Sequence, residues 1–220
     1  MSYLDHYKKL IEAEFKSNKN FNFMRAVTPG ADYFIENGFP LKKKGNERWK
    51  YLDLRNVTSS NFTKSIYEER ISNDFDSVLE KLAPCGINIV EDEILIVGDN
   101  KNHLSVRNFV DSEGIGASSP SKTIIGEIAD PEEDGFIALN AAVADITSFS
   151  INENFSQKAL NIVFAGQSQS DRLSTERMCI KIHANTEVTI NEIHFDSDFN
   201  TLNIPVLEIY PLKPPYLMEM

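Results

Sequence analysis

The feature that most constrains this chain is a change of period at Pro84. Before it, apolar residues recur at helical spacing; after it they come in short alternating runs separated by turn chemistry. Ser2 caps a first helix whose Leu4, Tyr7, Leu10, Ile11 and Phe15 fall on one face, and the polar stretch 16–22 ends it. Thr28-Pro29 reads as N-cap and first helical position of a short second helix containing Tyr33, Phe34 and Ile35. Gly38 closes that helix and Phe39-Pro40 leads the chain away. Ser72 caps a third, through Phe75, Val78, Leu79 and Leu82, which stops before Pro84. Residues 1–83 are therefore expected to form a helical N-terminal unit.

Beyond Pro84 the expectation is β. Residues 87–90, 94–97 and 104–109 are short strands parted by EDE and GDNKN, giving a strand region over 84–110. Residues 111–135, rich in Gly, Pro, Ser and acid, read as a linker with little regular structure. From 136 to 220 the segments 136–144, 146–151, 160–164, 178–183, 187–195 and 206–210 read as further strands with no helix among them. Met178, Ile180 and Ile182 point one way and Cys179, Lys181 and His183 the other, while Leu160, Ile162 and Phe164 form a matching stripe. The class is thus α+β. Many short strands without crossover helices suit a sandwich, a barrel or a β-solenoid, and irregular spacing with no hexapeptide signature leaves the three open.

Charge narrows the partners. The net charge is −11, yet residues 1–50 hold 10 Lys/Arg against 6 Asp/Glu, and the remainder 12 against 27. An acidic bulk argues against nucleic acid, whose binding rests on phosphate neutralisation. No run of 18 apolar residues occurs, so no membrane span is expected. The amphipathic, acid-bearing N-terminus is unlike a signal peptide, and Cys85 and Cys179 form no framework; a cytoplasmic protein is the expectation.

Candidate chemistry is sparse. GIGASS (114–119) lacks the third glycine of a dinucleotide fingerprint, and Pro120 stands where a helix should open. No P-loop and no G-x-S-x-G is present. Cys179, His183 and His194 could meet as metal or cluster ligands, but their spacing is unpaired and ordinary surface or interface side chains are the better reading. The acidic groups 91–93 and 132–134 sit in turns and are solvated. In KKKGNERWK, Lys42, Lys43, Lys44, Arg48 and Lys50 surround the single Trp49, which with Tyr51 is expected to pack as a plug.

The order of these residues resembles a known family. Arg25, Phe34, Gly38-Phe39-Pro40, the Lys42–Lys44 spacer, Glu47 and Trp49-Lys50-Tyr51 are similar to the N-terminal region of SufB/SufD proteins, SufD most of all, with Leu52 where Thr is usual. ILIVGDNKNHLS, FIALNAAVADITSFSI, ALNIVFAG, EVTINEIHF and VLEIY resemble later segments in the same order. The resemblance implies a helical domain leading into the beginning of a right-handed parallel β-helix, with Trp49-Lys50-Tyr51 as a structural joint. It implies a scaffold in iron–sulfur cluster assembly rather than a stand-alone enzyme, partnered by a SufB-like paralogue and a SufC-like ATPase. The cluster would be carried by the assembled complex. Family members continue beyond Met220 into the dimer seam, the cluster-associated His/Cys positions and the ATPase-docking helices, so no catalytic or metal-ligating residue carries over. A fragment, or a short homologue that covers its open β edge as a homo-oligomer, is the corresponding expectation; the alternative is a non-catalytic interaction module.

Overall fold

The computed structural model describes residues 2–17, 24–40, 47–51, 53–64, 80, 82, 84, 86–87, 93–97, 104–105, 114–117, 125–156, 159–165, 171–195 and 200–212. The Ser72 cap with Phe75, Val78 and Leu79 lies outside them, as do Lys42–Lys44 and Cys85; Leu82 is described and buried.

Helix α1 (Tyr3–Ser17) starts as its sequence requires. Ser2 Oγ accepts from the Asp5 amide at 3.2 Å and Asp5 returns the bond to the Ser2 amide at 3.1 Å, a reciprocal cap. Its Tyr7 and Ile11 are buried, with Leu4, Leu10 and Phe15 beside them. Helix α2 (Met24–Asn37) begins before the expected Thr28-Pro29 start, so Pro29 lies inside it. An interior proline forfeits one helical hydrogen bond. Burial of Ala26, Val27, Ala31 and Phe34 along the same helix outweighs that local preference. The short α3 (Arg55–Ser59) leads to Phe62, whose carbonyl accepts from His6 Nε2 at 2.7 Å.

Helix α4 (Gly135–Val143) corrects the reading of 136–144 as a strand. FIALNAAV is apolar all round, and period cannot separate helix from strand in such a run. Asp134 decides it as N-cap, its Oδ1 accepting from the amides of Phe136 at 2.8 Å and Ile137 at 3.1 Å. Residues 138–143 are buried, and α4 lies against α2 where a side chain on Gly30 would strike the Ala138 carbonyl at 2.7 Å.

Among the described residues eleven short strands follow the helices or lie between them: β1 (Thr63–Lys64), β2 (Glu93–Val97), β3 (Leu104–Ser105), β4 (Ile115–Ala117), β5 (Asp145–Ile151), β6 (Leu160–Ala165), β7 (Arg172–Ser174), β8 (Glu176–Ile182), β9 (Ile190–Phe195), β10 (Thr201–Asn203) and β11 (Val206–Pro211). They form three sheets, ordered β1-β7-β10, β11-β8-β5-β4 and β3-β2-β6-β9. Strand β4 lies within the stretch read as a linker. Each of β5, β6, β7 and β8 pairs in parallel with the third strand after it, at a register offset of about 30 residues, the spacing of a repeat. At the near edges β3 and β4 pair antiparallel to their neighbours.

The inner stripes read from the sequence do meet. Phe149, Ile151, Leu160, Ile162, Phe164, Met178 and Ile180 form one buried cluster. Cys179 points to the opposite side, against Ala26 and Ile125, and is buried rather than on the surface.

Candidate functional site

Two joints hold α4 between the other helices and the sheets. At its N-terminus, Gly38 ends α2 with φ +65°, a left-handed conformation that glycine adopts without a Cβ penalty; its amide returns to the Phe34 carbonyl at 2.8 Å. The turn throws Phe39 into a cluster of rings with Tyr7 at 5.3 Å, Phe34 at 5.1 Å and Phe136 at 5.0 Å. Gly135 passes so close that a Cβ there would lie 2.0 Å from the Gly38 carbonyl oxygen. Pro40 follows, half-buried.

The turn at Glu47–Tyr51 closes on the same end of α4. Trp49 packs on Phe136 at 5.4 Å, with the Arg48 guanidinium 5.3 Å from its ring centre. Arg48 bonds Glu133 and lies 3.9 Å from Asp134, so cationic charge sits beside two acids at the helix start. Lys50 pairs with Glu47 at 2.5 Å and lies over the Tyr51 ring. Tyr51 itself is 90% exposed, so the expected Trp49–Tyr51 plug is Trp49 alone.

The second joint is buried and polar. Asn140, in the middle of apolar α4, donates to the carbonyls of Glu176 at 3.2 Å and Ile204 at 2.7 Å. Its Oδ1 accepts from Arg177 Nη1 at 3.1 Å. Arg177 also gives Nε to Glu208 Oε2 at 3.0 Å and Nη2 to the Ala129 carbonyl at 2.8 Å. Glu208 accepts further from the amides of Gly126, Ile128 and Ala129 at 3.0, 3.3 and 3.2 Å and from the Tyr210 hydroxyl at 3.2 Å. A buried ion pair is tolerable where such donors fill its remaining lone pairs. Burial first, and then the Glu208 charge, push the Tyr210 hydroxyl up from its ordinary pKa, and burial pushes up the neighbouring Cys179 thiol.

Nothing in the sequence marks Arg177, or Glu208 within VLEIY, as buried, because alternation makes each an outward strand position. Asn140 left a trace, a lone amide in an apolar run. Cys179, His183 and His194 do not come together. Cys179 is interior, His183 is exposed after β8, and His194 stacks on Phe164 at 4.8 Å and pairs with Glu192. Among the described residues no group of three His, Cys, Asp or Glu is placed to hold a metal ion, and no helix is long and apolar enough to cross a membrane.

The arrangement is one of joints. A family model described as the SufBD protein N-terminal region matches residues 1–151, a span holding the four helices given above, Gly38-Phe39-Pro40, Glu47–Tyr51 and Asn140. No curated protein and no solved structure matches the chain.

Proposed function

Because the chain belongs to the SufB/SufD family, whose work is iron–sulfur cluster assembly, we propose that it is a SufD-like, non-enzymatic scaffold component acting with a SufB-like paralogue and a SufC-like ATPase. The observation that carries this reading is the family match over residues 1–151, within which the matched motifs converge on one end of α4. Rigid presentation is what a scaffold supplies. Iron and sulfide are cargo of the complex here, not residents of this chain.

The three parallel ladders support a β-helix, each coil contributing one strand to each sheet. Its hand follows from the right-handed rule for parallel crossovers. Anaerobic co-purification with a SufB-like and a SufC-like partner tests the assignment. A three-component complex that gains iron, while this chain alone gains none, is the expected result; failure to join either partner would remove it.

A second reading rests on β9, β10 and β11, each of which has a strand neighbour on one side only among the described residues. Such edges can pair with another copy, giving a self-associating interaction module. Light scattering separates the two: a monomer that joins the partners supports the scaffold, whereas a stable homo-oligomer indifferent to them supports the module.

A further inference from the structure

Residues 125–131 cross the outer side of the sheet formed by β4, β5, β8 and β11. They do so without regular structure of their own, in a run of turns and bends. Ile125 is buried there against Cys179 and Ala26, Pro131 is buried at the far end, and Ile128 between them faces solvent. The amides of Gly126, Ile128 and Ala129 all aim at one carboxylate, Glu208. That carboxylate is not local. It stands on β11, some eighty positions later, beside its register partner Cys179 on β8.

Convergent amides of this kind form a concave anion site, and here the chain fills it with its own side chain. Arg177 then grips the same segment from β8, through the Ala129 carbonyl, while pairing with Glu208. We propose that residues 125–131 are a strap, that the Arg177–Glu208 pair is its bolt, and that the strap closes only once β11 has paired with β8. Closing seals Cys179 beneath Ile125; opening uncovers that outer face while the parallel ladders stay intact. A segment without regular structure, whose polar contacts to the sheet centre on one ion pair, opens as a local unit.

The test uses the whole chain in a Cys85→Ser background, so that Cys179 is the thiol measured. In Glu208→Gln, exchange at the amides of Gly126, Ile128 and Ala129 should accelerate about tenfold or more, the loss expected for buried bonds to a charged acceptor. Labelling of Cys179 by an aromatic disulfide should accelerate alongside, with β5 and β8 amides still protected. Unchanged exchange at those three amides would overturn the proposal, and so would equal loss across β5, β8 and β11.

The double variant Arg177→Met, Glu208→Leu removes the burial of charge without restoring an acceptor. It should regain thermal stability and keep fast exchange at the strap. If the strap amides regain protection along with the stability, Glu208 is not the bolt.

Discussion

Arginine meets carboxylate at both joints of α4, and the two meetings differ in almost everything that sets their worth. Arg48 and Glu133 are 57% and 41% exposed; Arg177 and Glu208 are 1% and 0%. In water the first pair gains little, because solvent competes for each charge and both side chains lose freedom. In the interior neither partner can be left alone, since a stranded charge has no water to turn to. The Glu47–Tyr51 motif therefore sits at the weaker joint, and Arg177, with Asn140 and Glu208 from the later resembling segments, forms the stronger one.

That contrast can be broken or sharpened by substitution. The largest effect is expected for Arg177→Ala, which strands Glu208 and empties Asn140 Oδ1; a loss of about 3–5 kcal/mol in urea unfolding follows. Gly135→Ala should come next, because its Cβ would overlap the Gly38 carbonyl and push α4 from its seat, at about 1–3 kcal/mol with a shift in Trp49 emission. Trp49→Ala loses a half-buried ring contact with Phe136 and should cost about 1 kcal/mol, read from the thermal midpoint. Arg48→Ala should cost under about 1 kcal/mol, and the difference should vanish in molar salt. Tyr51→Ala should lie within about 0.5 kcal/mol of the parent, as an exposed substitution does. A Tyr51 effect as large as that of Trp49 would mean that the turn docks through both rings.

What the sequence made legible follows the same division. Helix α1 was readable from Ser2 and its apolar stripe, because the local cap and one buried face agree. The inner faces of β6 and β8 were readable from alternation. Helix α4 was not, since nothing in FIALNAAV distinguishes one period from the other and only Asp134 breaks the tie. The repeat was hidden because equivalent inner positions hold unlike residues: Leu160, Ile162 and Phe164 on β6 stand opposite Ile190, Glu192 and His194 on β9. Register, rather than residue type, carries that period. The bolt was hidden for a related reason. Glu208 has the pattern of a solvated strand position, and only a segment some eighty positions earlier buries it.

Helix α4 is the element through which helices and ladders become one body, and the chain's single tryptophan rests on it. Urea unfolding followed in parallel by Trp49 fluorescence and by circular dichroism of the strands tests this most directly. Coincident midpoints are predicted, because Asn140 ties α4 to the strand ends and the ladders cannot release one without the other. A Trp49 transition complete at lower urea, with the strand signal unchanged, would contradict the account and make the helical part a separately unfolding unit.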